Sequence, residues 1–282
     1  MRIYLPGLIL LLSLSFAHAA KGEKLELLRA EKISSFIRNG NTYRRLVGDV
    51  KLRRGDAILT CEVAEFQVDN DEAELSGGVR IVTPHSKLSG QTAHYYGSRD
   101  YVELVGEARF EDDPYIVKAE KLGYFIELKK VRATNQPVLV DSSSTLSADV
   151  IFYYEDSQLG DARGNALMVN SSDSLSVAGQ HLLYYSGKDS LLSYGDAEFR
   201  KWTPEDTTLT IQSDSLSLEE GFFFAWEDVK LINGSALGTC GQAVYMQDDD
   251  VAIMRDEPVL QEEDFVLTGD IFNLHMQDGK LN

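Results

Sequence analysis

The 282 residues predict an all-β chain of two facing antiparallel sheets, and three observations predict it. One short phrase recurs from end to end, apolar residues alternate with charged ones around it, and turn-forming clusters separate the copies. About eight two-strand units of roughly 29 residues account for the sequence.

The phrase "LTCEVAEFQV" (59–68) returns as "LSGQTAHYY" (88–96), "LSADVIFYY" (146–154) and "VAGQHLLYY" (177–185). Its polar centre recurs as Glu62, Gln91, Glu120, Asp149, Gln180, Asp214, Gln242 and Asp270, spaced by 29, 29, 29, 31, 34, 28 and 28 residues. Two residues after each stands an apolar one (Ala64, Ala93, Leu122, Ile151, Leu182, Leu216, Val244, Phe272). Four after comes a second (Phe66, Tyr95, Tyr124, Tyr153, Tyr184, Leu218, Met246, Leu274). This is a strand with one dry face. Three residues before each centre lies another mostly apolar column, from Leu59 to Leu267, of the opposite parity. A bulge or bend at the polar residue is therefore expected, where the chain turns from one sheet toward the other. The polar side chain is expected to bond a neighbouring backbone amide there rather than to do chemistry.

The other strand of each unit reads "LVGDVKL", "LSGGVRI", "LVGEARF", "ARGNALM", "SYGDAEF" and "AWEDVKL". Its glycine column is Gly48, Gly77, Gly106, Asn135, Gly164, Gly195, Glu227 and Asp256. Apolar residues follow two and four positions later, with Lys51, Arg109, Glu198 and Lys230 on the other parity. Links such as "DNDE", "GSRD", "EDDP", "SGKD" and "QDDD" are turns. The segment 23–38, ahead of the first full unit, fits a short helix or a first strand equally. Units five to seven are spaced less evenly, and Glu227 and Asp256 replace glycine, so the second half is expected to be wider or less regular.

The first residues place Arg2 before an apolar run, Leu8 to Phe16, and then small residues around Ala19. That is the layout of a secretory signal peptide over residues 1–20, followed by one domain over 21–282. The run is too short to cross a bilayer, which takes about 20 residues. With a formal charge of −18, the surface repels phosphate backbones, so nucleic acid is not an expected partner. Cys61 and Cys240 stand about six repeats apart, roughly 30 Å at one ladder step per repeat, and two free thiols are expected. Nothing in the pattern groups a nucleophile, base and orienter, or spaces His and Cys as metal ligands, so neither enzyme activity nor a cofactor or metal is expected. His94 and His181 read as surface strand residues.

The phrases "LVGDVKL…LTCEVAEFQV", "LSGGVRI…LSGQTAHYY" and "LSADVIFYY" resemble the OstA-like, LptA-type family of periplasmic lipopolysaccharide-transport proteins. The resemblance runs from about Leu46 through nearly the whole mature chain, and its motif is structural. It implies an elongated, open β-jellyroll whose apolar interior holds the acyl chains of lipopolysaccharide. It also implies end strands that pair with other jellyroll-bearing transport components or head to tail with a second copy, and a periplasmic location reaching to the outer membrane.

On that basis the groove lining is Val50, Leu52, Val79, Ile81, Ala108, Phe110, Met168, Phe199 and Leu231 on one wall. The other wall is Ala64, Phe66, Tyr95, Leu122, Tyr124, Ile151, Tyr153, Leu182 and Tyr184. The columns fit two further descriptions. One is a filled sandwich, as in a secreted scaffold or adhesin without lipid. The other is a carbohydrate-active β-helix, which would need paired carboxylates on one exposed face. Exposed acids are instead scattered along every unit.

Overall fold

The computed structural model describes residues 25–188, 190–202, 207–262, 265–277 and 280–281; the leader assigned to residues 1–20 lies outside them. The described chain is an antiparallel meander. It opens with β1 (Glu26–Arg29), β2 (Lys32–Arg38), β3 (Asn41–Arg54), β4 (Ala57–Gln67), β5 (Glu72–Val82) and β6 (Lys87–Tyr96). It continues through β7 (Tyr101–Asp112), β8 (Tyr115–Phe125), β9 (Lys130–Thr134), β10 (Val138–Val140), β11 (Ser144–Ser147) and β12 (Val150–Tyr154). Long strands return in β13 (Leu159–Asn170), β14 (Leu175–Tyr185), β15 (Ser190–Trp202), β16 (Thr207–Glu219), β17 (Phe222–Asn233) and β18 (Ala236–Met246). The chain closes with β19 (Val251–Arg255), β20 (Val259–Glu262), β21 (Phe265–Thr268), β22 (Ile271–Gln277) and β23 (Lys280–Leu281).

Each long strand belongs to two layers. In β3, Tyr43–Val47 pairs with Val63–Gln67 of β4; the register then slips by one residue, and Val50–Arg54 pairs with Ala57–Cys61. The slip recurs at Ser76/Val79, Val105/Ala108, Arg163/Ala166, Tyr194/Ala197 and Trp226/Val229. Stacked bulges crease the ribbon along one line and fold it into two walls, because a bulge bends its strand and deepens the local twist. At the opposite side the hairpin turns of both walls meet in a seam.

The glycine column sits on the crease, and its backbone explains it. Gly48, Gly77, Gly106, Gly164 and Gly195 have φ of 82°, 84°, 80°, 74° and 71°. Asn135, Glu227 and Asp256 accept 62°, 66° and 65° at the same place. The next residue in every unit is also left-handed, at 40° to 74°. Two successive positive φ values make the bend, and glycine takes the first at the least cost. At Asn135 and Asp256 the strand breaks into β9/β10 and β19/β20, where Pro137 and Pro258 have no N–H to give the ladder.

The polar column caps this bend, in a way that differs from the expected side-chain bond to a backbone amide. Glu62 lies over Gly77, Gln91 over Gly106 and Asp149 over Gly164, so closely that a Cβ on any of these glycines would collide with the side chain above. The hydrogen bonds come instead from the backbone: Asp149 N–H donates to the Gly164 carbonyl at 2.8 Å, and Glu120 N–H to that of Asn135 at 3.1 Å. In the seventh unit the roles are exchanged. Gly241 lies beneath Asp256 and its N–H donates to the Asp256 carbonyl at 2.8 Å.

The exchange corrects the sequence alignment of that unit by one residue. Gly241, not Gln242, occupies the polar column, and Ala243 and Tyr245 point inward where Val244 and Met246 were expected. Glu31, in the segment that fitted helix or strand, belongs to the same column. Its N–H donates to the Gly48 carbonyl at 3.1 Å, and β1 and β2 add one more creased strand to the repeat. The longest spacing, 34 residues, is absorbed by β15 and β16 at 13 residues each, and both keep the bulge.

Candidate functional site

The interior is continuous along the repeat, and one cluster of buried side chains runs from Leu46 to Leu274. Every lining residue predicted above is buried in it except Phe66, which packs half-buried against it. Val50, Leu52, Val79, Ile81, Ala108, Phe110, Met168, Phe199 and Leu231 lie on the halves of the strands beyond the crease. Ala64, Tyr95, Leu122, Tyr124, Ile151, Tyr153, Leu182 and Tyr184 lie on the facing wall. The columns before the polar residues also turn inward, as Leu59, Leu88, Val117, Leu146, Val177 and Ile211, because the bulge reverses the parity of the strand.

The walls touch ring to ring. Phe110 lies 6.0 Å from Tyr124 and 5.7 Å from Tyr153 between ring centroids, and Phe199 lies 4.1 Å from Phe223 and 5.6 Å from Tyr245. Dispersion and water exclusion hold them, at about 2–3 kcal/mol for each fully buried large side chain. No covalent link crosses the interior among the described residues, and Cys61 and Cys240 are buried free thiols. Burial pushes the Cys61 thiol up to about 11, with Glu62 adding to the shift.

The seam is polar, and this was not legible in the sequence. Tyr153 donates to Asp112 Oδ2 at 2.9 Å, and Tyr184 to Asp141 Oδ2 at 2.6 Å. In each case an inward tyrosine of one wall reaches a turn of the other. Tyr124 meets Ser86 in the same manner and also Glu155, whose carboxyl burial raises above the usual range. Lys201 donates to the Tyr245 hydroxyl at 2.6 Å and to Asp250 at 3.2 Å, and Arg54 pairs with Asp100. Burial first, and then the neighbouring acids, push the Tyr153 and Tyr245 hydroxyls well above the ordinary phenol range.

One part of the seam is open. A cavity of about 240 Å³ lies between the turns around Asp56 and Pro84 on one wall and Tyr95, Val102, Tyr124 and Ile126 on the other, with Leu25 at its side. Its floor is formed by Leu59 and Ile81 of the buried cluster, and Arg54 and Asp56 stand among its lining residues. The Arg54 guanidinium lies 5.8 Å from the Tyr95 ring centroid. The Tyr95 hydroxyl is buried and its proton meets no acceptor, while the Arg54 guanidinium beside it, by its charge and as a donor, opposes the upward push that burial gives it.

His94 and His181 are on the outer faces of the walls, but each has company. His181 Nε2 lies 2.9 Å from Asp161, which Arg163 also holds at 2.6 Å. Burial opposes ionisation of Asp161, yet the hydrogen bonds from Arg163 and His181 hold it below the usual carboxylate range. His94 stacks on Tyr96 at 4.1 Å. At the ends of the meander, apolar side chains face solvent: Leu27, Leu28, Ile33 and Ile37 on β1 and β2, and Phe265, Val266, Leu267 and Ile271 on β21 and β22.

Residues 22–131 match the family described as OstA-like protein. Over that stretch, somewhat under half of the chain, the sequence is similar to that family. Among solved structures, the chain is similar to LptH of Pseudomonas aeruginosa, described as the LptA-homologous periplasmic component of the conserved lipopolysaccharide transport device. The two are 21% identical, with 38% of this chain and 82% of that one covered and a TM-score of 0.36. No curated protein matches. The matched stretch carries the creases at Gly48, Gly77 and Gly106 and the whole of the seam cavity. Beyond it the same creased pattern continues at Gly164 and Gly195 and, without glycine, at Glu227 and Asp256.

Proposed function

We propose that this protein is a periplasmic lipid carrier of lipopolysaccharide transport, holding acyl chains between its two walls and handing them on through edge strands paired with like modules. The observation that carries the proposal is the interior itself: a cluster of apolar side chains continuous along the repeat and bounded on one side by a seam of side-chain hydrogen bonds. The OstA-like match over 22–131 supplies the biological context.

The physical case is simple. A chain of about twelve methylenes loses roughly 10 kcal/mol on exposure to water, at about 0.8 kcal/mol per methylene. Exchanging a membrane for an apolar interior removes most of that difference, so carriage needs shape and continuity rather than catalysis. Lipid head groups stay outside the acidic walls, and only acyl chains enter. The exposed apolar residues on the first and last strands suit pairing with another strand, since an unpartnered edge otherwise invites aggregation.

One observation favours a second description, a scaffold with a packed core. Val50, Val79, Phe110, Tyr153 and Phe199 are inaccessible to solvent, and the rings of the two walls are in contact. Photo-crosslinking separates the two. An unnatural photoreactive residue at Phe66, Phe110 or Tyr153, with Lys51 and Lys230 as outward controls, is exposed to lipopolysaccharide. Adducts at the inward positions alone establish the carrier; silence at all of them in folded protein establishes the scaffold.

A further inference from the structure

The walls meet along the interior, so an acyl chain can reach it only from an end of the meander or through the seam. Along most of its length the seam is laced by Tyr124 with Ser86, Tyr153 with Asp112, Tyr184 with Asp141, and Lys201 with Tyr245 and Asp250. The cavity near Tyr95 differs in three respects. It is a void, of about 240 Å³, where the contacts just named are bonded side chains. Its lining is mainly apolar, and its floor, Leu59 and Ile81, belongs to the buried cluster, so it leads directly to the interior. It also contains a buried donor without an acceptor, the Tyr95 hydroxyl, with the Arg54 guanidinium beside it.

A buried donor without an acceptor is costly, and in a cavity that reaches the interior it is a place that a ligand oxygen can complete. The missing partner must be an acceptor, since a neutral phenol beside a cation has a proton to give. It must be attached to something apolar, since most of the remaining lining is, with Leu25, Ala57, Leu59, Ile81, Val102 and Ile126 beside the polar Asp56 and Thr83. A carboxylate or ester oxygen on an acyl chain meets both requirements. At roughly 30 Å³ for each water-sized group, the void takes about eight methylenes.

We propose that this cavity is a lateral port, binding a single acyl chain by its oxygen-bearing end and admitting it to the interior through the side of the fold. The Arg54–Asp100 pair and the turns at Asp56 and Pro84 form its rim. This rests on the carrier proposal and goes beyond it by making loading independent of the paired ends.

The test uses the full mature chain and a twelve-carbon fatty acid carrying a diazirine at its terminal methylene, with adducts mapped by peptide mass. Wild type is expected to be labelled on peptides containing Leu59, Ile81, Tyr95 or Val102. Ala57→Trp, which fills the void from its rim, should cut labelling by at least about tenfold. Tyr95→Phe should weaken the apparent affinity about three- to tenfold, as expected for one lost hydrogen bond, while leaving the melting temperature unchanged or higher.

Full labelling of a folded Ala57→Trp protein, or adducts only around Phe199 and Tyr245, overturns the port and leaves the carrier standing. If Ala57→Trp does not fold, Tyr95→Phe decides, and unchanged affinity overturns the port. No adduct anywhere in folded wild type overturns both.

Discussion

The Tyr153 hydroxyl donates to Asp112 Oδ2 at 2.9 Å, joining an inward tyrosine of one wall to a turn of the other. The bond is one of several that close the seam between two sheets whose interior contact is apolar. Tyr153→Phe keeps the ring contacts with Phe110 and Tyr115 and removes only this latch. A loss of about 1–2 kcal/mol is expected from urea unfolding, with acyl-chain loading faster than in wild type. Equal stability and equal loading would show that the latch restrains nothing.

Gly77 and Glu62 form a lock at the crease: one backbone at φ 84°, one side chain lying where a Cβ would be. Gly77→Asp should destabilise by about 2–4 kcal/mol, combining left-handed strain with a collision. The exchanged arrangement of Gly241 and Asp256 indicates the remedy. Adding Glu62→Gly to Gly77→Asp should recover at least about 1 kcal/mol, a coupling that a double-mutant cycle measures directly. Additive losses would mean that the strain alone matters.

Asp161 shapes the acid limb of the stability curve. Its folded pKa is held below the unfolded value of about 3.9 by Arg163 and His181. Its contribution is therefore present above that value and lost as pH falls through the folded pKa. Asp161→Asn should cost about 2 kcal/mol at pH 7 and flatten the fall in melting temperature below pH 4. An unchanged acid limb would place the sensitivity elsewhere.

The two thiols give a test of core integrity. Cys61 is buried with its pKa pushed up to about 11, and Cys240 is buried and raised as well, so little reactive thiolate exists at pH 8. An aromatic disulfide reagent should find no fast thiol in the native protein and two in denaturant. One fast native thiol would reveal an opening of the crease on which these residues lie.

The meander's exposed ends predict concentration-dependent association. Ile37 on β2 and Ile271 on β22 are among the most exposed large apolar side chains of the described chain. Ile37→Lys or Ile271→Lys should reduce any oligomer seen by sedimentation at high concentration, since a charged edge repels a pairing strand. An oligomer indifferent to both would form through another surface.

By itself the sequence determined the repeat, its two strands, the crease and both walls. Side-chain parity and the glycine column are local properties, set by whether a strand has one dry face and where its backbone must turn left-handed. The same locality caused the misalignment in the seventh unit, where Gly241 and Asp256 satisfy one steric rule with the residues exchanged and the glycine column alone no longer marks the register. Only the tertiary structure brought Asp112 to Tyr153, Asp141 to Tyr184 and Arg54 to Asp100, partners 41 to 46 residues apart. Those distances depend on how far one wall is displaced along the other as the sheet twists, a property of the whole stack that no single repeat encodes. The seam, and the cavity within it, follow from that displacement.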